Sequence, residues 1–431
     1  MDKKIKHIPR MDDQFNKCTF CGNCRVVCPT FLVERRESTL CRGRIDLIGG
    51  VLSKSSPINI SEKFEHDINM CLNCMSCEEI CPPKVKVSDL IIAAKADIFS
   101  KRKKHLFKYF FKDRIFFTKY IIFKYILGSK NRFRFLLTVY KQIYPFLYNK
   151  DLKTKIMGKI LLKAGTLSNE RKLPKPDFFD YKSFNIEKKD FHVKKRVGLF
   201  LGCTGKFLYK ERVKHTIKLL NNADIDVLIT EDFNCCGAPA LYNGDISSAK
   251  SIAIKNSEIA NRLNQISAII TICGSCGHMI RNEYKKFGIE LNIPVYDISE
   301  YLIAEKIKVK PRFPDKKVTY HHSCHLLRGM KVKDEPINLL NNAYKKKFIS
   351  LKEDQKCCGG GGTFSYSYYE IAKKITSEKC ENIEKTEADI LAVGCPNCSM
   401  RIGEQKIVDN KDFEIMHTVE LLEVDKEHYQ K

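Results

Sequence analysis

Cys203, then Cys235-Cys236-Gly237, then Cys273-Gly-Ser-Cys276; Cys324, then Cys357-Cys358-Gly359, then Cys395-Pro-Asn-Cys398: the chain writes one frame twice. In the first copy 31 residues separate the lone cysteine from the pair, and 36 separate the pair from the CxxC. In the second copy the gaps are 32 and 36, so corresponding cysteines are offset by 121 or 122 positions. Ten of the 20 cysteines thus belong to a duplicated unit. Thiolates are soft ligands that select zinc, copper(I) or iron–sulfur groups, and a CxxC turn brings two sulfurs to one centre. Five sulfurs exceed zinc's usual four, and two adjacent cysteines do not comfortably share one small tetrahedral ion, whereas a group of several irons has room. One metal site is therefore expected per copy: Cys203, Cys235, Cys236, Cys273 and Cys276 in the first, and Cys324, Cys357, Cys358, Cys395 and Cys398 in the second. An iron–sulfur cluster, cubane or noncubane, is favoured there over structural zinc or a disulfide scaffold.

Around these cysteines strand-like and helix-like runs alternate. Strands are expected at 196–202, 226–230 and 268–272, with helices at 211–222 and 246–263. The second copy repeats this with strands at 318–321, 348–351 and 389–393 and helices at 335–345 and 370–386. Such alternation predicts a parallel α/β layer in each copy, with ligands gathered at strand ends. Even the tails echo, Asp297-Ile-Ser-Glu-Tyr-Leu302 against His417-Thr-Val-Glu-Leu-Leu422. The glycines at 359–362 lack the Lys-Ser/Thr of a phosphate loop and read as close backbone approach to cluster sulfurs. His321, His322 and His325 flank Cys324; they are candidates for proton relay, iron ligation or hydrogen bonding to the site. Cys41 and Cys380 fall outside every frame and read as ordinary packed thiols.

Ahead of the duplication, Cys18-x-x-Cys21-x-x-Cys24-x-x-x-Cys28-Pro29 is repeated as Cys71-x-x-Cys74-x-x-Cys77-x-x-x-Cys81-Pro82. This is the spacing of the bacterial two-cluster ferredoxin, in which the fourth cysteine of each motif serves the other cluster. One [4Fe–4S] cluster is expected on Cys18, Cys21, Cys24 and Cys81, and the other on Cys71, Cys74, Cys77 and Cys28. Two such cubes conduct single electrons and make no bonds. A helix is expected near 44–52. From residue 100 to about 174 the chain turns basic and aromatic, opening with Lys101-Arg-Lys-Lys104. Apolar residues at three- and four-residue steps predict two or three amphipathic helices there. They either pack on the protein itself or present a basic aromatic face to a membrane surface. Residues 173–195 read as an irregular connector.

The expected architecture is multidomain, α+β and α/β: a helical two-cluster ferredoxin-type domain at 1–99, a basic aromatic helical linker at 100–195, and duplicated α/β CCG domains at 196–310 and 311–431. At 431 residues with 43% apolar and 10% aromatic content the chain is globular. Its start lacks the apolar core of a signal peptide, and no run of 18 apolar residues occurs. Twenty cysteines without an export signal point to a reducing cytoplasm, with peripheral contact at the inner face of the cell membrane as the further expectation. The net charge of +25 is spread along the chain; nucleic acid is not an expected partner, since sensing needs no set of four linked centres.

The double ferredoxin run followed by two CCG frames resembles the iron–sulfur subunits of flavin-linked 2-hydroxyacid oxidases and the cluster-binding subunit of heterodisulfide reductase. Cys41-Arg-Gly-Arg-Ile-Asp-Leu-Ile48 looks like the arginine–glycine–arginine segment of glycolate oxidase iron–sulfur subunits, with Cys41 where proline is usual. The segment 318–325, Leu327-Arg-Gly329 and Ala388-Asp-Ile390 are similar to that subunit and to lactate-utilisation proteins. Cys71-Leu-Asn-Cys74 and Val87-Ser-Asp-Leu90 are similar to the iron–sulfur subunit of anaerobic glycerol-3-phosphate dehydrogenase. The resemblance implies an electron-transfer subunit of a glycolate- or lactate-type oxidoreductase, which passes electrons from a flavoprotein dehydrogenase subunit toward quinone or another acceptor. No flavin or nicotinamide fingerprint lies in this chain. The complete second frame is more like heterodisulfide reductases. That likeness implies the alternative, a catalytic subunit that reduces a disulfide at its CCG clusters with electrons from a membrane cytochrome. No catalytic residue is assigned by either resemblance.

Overall fold

The computed structural model describes residues 6–53, 58–149, 154–155, 159, 171–181, 195–263 and 265–426. In the first copy, β1 (Lys195–Phe200), β2 (Ile225–Leu228), β3 (Ala268–Thr271) and β4 (Val295–Asp297) form a parallel sheet in the order β2-β1-β3-β4. β3 is Ala-Ile-Ile-Thr with every residue buried, the composition of a strand covered on both faces. Helices Lys210–Asn222 and Ile246–Arg262 provide that cover, the second capped by Asp245 accepting from Ser248 N at 3.0 Å. Strand β5 (Val309–Pro311) follows between the copies. In the second copy β6 (Val318–His321), β7 (Ile390–Val393) and β8 (Glu414–His417) lie parallel in that order.

The expected strand at 348–351 is reduced to a single bridge, Val318 to Phe348. The left-handed Lys345 (φ 51°) and a 3-10 turn at Lys345–Lys347 leave only one paired residue, supplemented by Thr319 Oγ1 donating to Ile349 O at 2.7 Å. The last strand, β9 (Leu422–Val424), turns back to pair antiparallel with β5, so the chain's end clasps the junction between the copies. The two copies share their cores: Val197, Leu199 and Ile270 of the first belong to one apolar cluster with Val318, Leu339 and Leu421 of the second.

The echo in the tails has a physical meaning. Asp297 and Glu300 form a capping box at helix Ile298–Ala304, and His417 and Glu420 form its counterpart at Thr418–Leu421. Asp297 is wholly buried, and its Oδ2 has no hydrogen-bond partner. Burial pushes its pKa up to about 7. A raised carboxyl pKa means that the folded state holds the proton more tightly than the unfolded chain. The cost of ionisation is therefore absent below about pH 4 and full above about pH 7, and stability falls as pH rises through that window. Asp297→Asn removes the charge and is expected to be more stable than the parent at about pH 8 by roughly 2–4 kcal/mol, with little difference near pH 4. Anaerobic denaturant titrations across this range check it; an equal or lower midpoint at high pH would refute it.

The N-terminal part is helical, with helix Cys41–Leu52 covering the expected 44–52 and helix Val87–Lys104 as its longest element. Asp97 ties down the start by accepting from the backbone N–H groups of Lys6, His7 and Ile8 at 2.9–3.1 Å. The basic aromatic stretch forms helices Leu106–Lys112, Arg114–Ile121 and Lys130–Leu147, with a π-turn at Ile122–Ile126. Its inner side is buried through Phe116, Tyr120, Phe123 and Leu127. On the outer side Phe135, Leu136, Ile143 and Phe146 stay exposed among Arg132, Arg134 and Lys141, so this stretch packs on the protein through one face and leaves the other uncovered. Among the described residues no helix is long and apolar enough to cross a membrane.

Candidate iron–sulfur centres

The ferredoxin-type loops place their cysteines at two cavities. One is lined by Cys18, Cys21, Cys24, Cys77 and Cys81, and the other by Cys28, Cys71, Cys74 and Cys77. Each expected set of four falls on one cavity. Left-handed residues at Phe20, Gly22, Asn73 and Met75 bend the loops inward, and Asn73 N–H points at Cys71 Sγ at 3.5 Å. Cys28 stands just before helix Pro29–Glu34, whose proline at the first position needs no N–H partner. The first cavity lies at the surface, where Cys21, Phe20 and Val26 are exposed; Cys28 and Cys74 of the second are buried.

Cys41 departs from its expected role as a packed thiol. It lines both cavities and touches Cys24 of one set and Cys77 of the other. Its contacts with Cys24 and then Cys77 push its own pKa far up, and the same contact holds Cys24 down at about 6. The signal available in the sequence was its place directly before Arg42-Gly-Arg44. Arg44 is buried beside the second set, donating to Asp67 O at 2.8 Å and Thr30 Oγ1 at 3.1 Å. Cys380 is an ordinary core thiol, wholly buried among Ile383, Leu391 and Ile402.

All ten cysteines of the duplicated frames line a single cavity of about 260 Å³ at the carboxyl ends of the two sheets. In the first copy contacts run Cys203–Cys235–Cys236–Cys276–Cys273. In the second they run Cys324–Cys357–Cys358–Cys398–Cys395, with Cys358 and Cys398 sulfurs 3.3 Å apart. Cys273 touches Cys395 across the junction, and Ser275 Oγ lies 3.6 Å from Cys395 Sγ. Cys74 of the ferredoxin-type part touches Cys357. The four sets therefore form one line of sulfur, from exposed Cys21 to Cys203.

The donors fit multi-iron groups. Neighbouring thiols cannot all ionise: Cys236 is lowered to about 5 by hydrogen bonds from Cys235 and Cys276, while Cys203, Cys276, Cys324 and Cys398 are pushed well up. Only cationic metal in their midst lets such a set become thiolate together. Buried cations flank the sulfurs as well. Lys95 donates to Cys71 O at 3.0 Å, Arg328 reaches Glu79 at 2.6 Å beside Cys74 and Cys324, and Lys379 lies near Cys358. Burial lowers Lys95 and Lys379 to about 8.

The three histidines have separate roles. His325 joins three parts of the chain, with Nδ1 3.0 Å from Ser275 Oγ and Nε2 3.2 Å from Asn73 O. His322 lies 3.2 Å from Lys333 O and 3.3 Å from the Asp354 carboxylate. His321 has a ring nitrogen within 4.8 Å of the Cys358 and Cys398 sulfurs. Of the four glycines, Gly361 permits the closest approach: a Cβ there would stand 2.4 Å from Leu72 of the ferredoxin-type loop. A second cavity of about 440 Å³ adjoins the first through Leu72, Tyr242, Asn243, Gly361 and Thr363, and includes Lys95, Arg102 and Lys119.

Fold and sites define an iron–sulfur electron-transfer protein, with four cysteine sets in line and two of them in duplicated α/β units. The family described as a 4Fe-4S dicluster domain matches residues 14–85, and the one described as a cysteine-rich domain matches 197–281 and 318–403. Lactate utilization protein A of Oceanobacillus iheyensis is 30% identical, covering 54% of this chain and 98% of that protein. A probable glycolate oxidase iron–sulfur subunit of Bacillus subtilis is 27% identical over 98% of this chain and 97% of its own. A fumarate reductase (CoM/CoB) subunit of Methanothermobacter marburgensis is 32% identical over 53% of this chain; the chain spans about half, 46%, of that protein's length. The chain belongs to the family of CCG-containing iron–sulfur subunits that includes lactate utilization protein A and the glycolate oxidase iron–sulfur subunit.

Proposed function

We propose that this protein is the iron–sulfur subunit of a flavin-linked oxidoreductase acting on a small 2-hydroxyacid such as glycolate or lactate. The observation that carries this reading is the unbroken line of cysteine sets through the Cys74–Cys357 contact, in a chain similar over its whole length to a glycolate oxidase subunit. Cys18, Cys21, Cys24 and Cys81 would hold one [4Fe–4S] cluster, Cys71, Cys74, Cys77 and Cys28 the second, and each five-cysteine frame a further cluster. Bound there, these groups supply one-electron conduction. The protein's own residues keep the line dry, hold the sulfurs within contact and offset their charge with Arg44, Lys95, Arg328 and Lys379. Phe20 and Val26, exposed around Cys21, give a redox partner a place to dock. That partner is a flavoprotein dehydrogenase, with a quinone-linked or other acceptor completing the circuit. The stripe Phe135–Leu136–Ile143–Phe146, flanked by arginine and lysine, supports peripheral contact with an anionic membrane face.

A second reading has its own support. Both duplicated frames open on one cavity, a shape that conduction alone does not require, and its cationic neighbour suits an anionic thiol or disulfide. In that reading a disulfide is reduced between the two frames. One experiment separates them on anaerobically loaded protein. Under the first, glycolate or lactate together with the flavoprotein reduces the clusters, and a thiol added to the oxidised protein leaves the EPR spectrum unchanged. A thiol-induced spectral change, with no response to any hydroxyacid, would replace the first reading by the second.

A further inference from the structure

His321 ends strand β6 and is wholly buried. Its Nδ1 lies 3.0 Å from the carbonyl oxygen of Asp354. A carbonyl only accepts, so Nδ1 carries the hydrogen and Nε2 presents a lone pair. That Nε2 has no hydrogen-bond partner. A ring nitrogen of His321 and the sulfurs of Cys358 and Cys398 all lie within 4.8 Å of one another. A buried acceptor without a donor is rare in folded proteins and calls for an unseen partner. A ring whose other nitrogen donates to a backbone carbonyl has the orientation that metal-bound histidines adopt. The duplication supplies an internal comparison. The matching position, three residues before Cys203, is Phe200, which packs against Phe233 with ring centres 5.0 Å apart. The first frame therefore has only sulfur at this point, and the second adds an imidazole.

We propose that His321 binds the metal of the second CCG frame through Nε2, beside Cys358 and Cys398. The two frames are then chemically unequal: one binds through sulfur alone, the other through sulfur and nitrogen. The imidazole is added to five cysteines rather than replacing one, so it changes the charge and hydrogen bonding around this centre and sets its reduction potential apart from that of the first. It is also the centre that touches the ferredoxin-type part, through Cys357 and Cys74. The inference rests on the reading that this frame holds a metal.

The test uses the full chain, anaerobically reconstituted with iron and sulfide and reduced, once with ordinary histidine and once with ¹⁵N-histidine. Pulsed EPR should show a strongly coupled nitrogen that changes with the isotope in the unaltered protein. The coupling should vanish in His321→Gln and persist in His322→Gln, with the midpoint potential of one centre shifting in the former. Absence of the coupling from the unaltered protein, or its survival in His321→Gln, overturns the assignment. Metal analysis of Cys357→Ala/Cys358→Ala separates the two possible failures. If the double variant loses metal but no nitrogen coupling is ever seen, only the ligand is wrong; if it loses none, the reading of the frame as a metal site falls too.

Discussion

Cys74→Ser will uncouple the two halves of the protein. Cys74 is buried, sits in the second ferredoxin-type set, and touches Cys357 of the second CCG frame. Ser76 Oγ lies 3.5 Å from its sulfur with Arg328 beside it, and both favour the thiolate against the Cys357 contact and the burial that raise it. Loss of a residue that only orients a ligand already costs about 10–100-fold in affinity or activity. Loss of this ligand, which is also the junction, should slow electron delivery to the CCG frames by at least about 100-fold. Rapid mixing with a reductant and freeze-quench EPR would follow each centre separately. Cys380→Ser, in the core but not lining the cysteine cavity, should leave the rate unchanged. Reduction of the CCG centres at the parent rate in Cys74→Ser would show that electrons enter elsewhere, and the line of sulfur would lose its meaning.

Gly244→Ala should separate the same halves without touching a cysteine. Gly244 has φ +88°, a conformation that costs a residue with a Cβ. A Cβ there would stand 2.2 Å from Lys95 O, 2.4 Å from Lys95 C and 2.8 Å from Ala96 N, all backbone of helix Val87–Lys104. None of these atoms yields as a side-chain tip would. Backbone strain and overpacking together should destabilise the docked arrangement by roughly 2–5 kcal/mol. The ferredoxin-type part would then swing away from the first CCG unit while the cysteine sets stay intact. Unfolding titrations should show an earlier first transition at near-parental iron content; an unshifted curve would mean that the halves are not held together at this point.

Much of this was legible because it is local or periodic. The two frames, the two CxxCxxCxxxCP runs and the alternation of strand with helix are patterns along the chain. The predicted helices at 211–222 and 370–386 match Lys210–Asn222 and Tyr369–Glu384 to within two residues at either end. The strand at 318–321 matches fully. The strand at 348–351 failed because its apolar run was short and a left-handed Lys345 left it one pairing position. Periodicity predicted helices in the aromatic stretch but does not say which face is covered; the fold buries Phe116, Tyr120, Phe123 and Leu127 and leaves Phe135, Ile143 and Phe146 exposed.

The cysteine types and spacings determined by themselves that soft metal would be bound, and how many sulfurs each copy would offer. They did so because ligand chemistry is set by the atoms, and a tight turn by its residue count. Only the folded chain decided which sulfurs meet. Cys41 lies between Cys24 and Cys77, Cys74 against Cys357, and Cys273 against Cys395 because separate elements dock there, and no local spacing encodes a contact between residues 17 to 283 apart. The free nitrogen of His321 belongs to the same class: its direction comes from Asp354, 33 residues away, accepting from the other side of the ring.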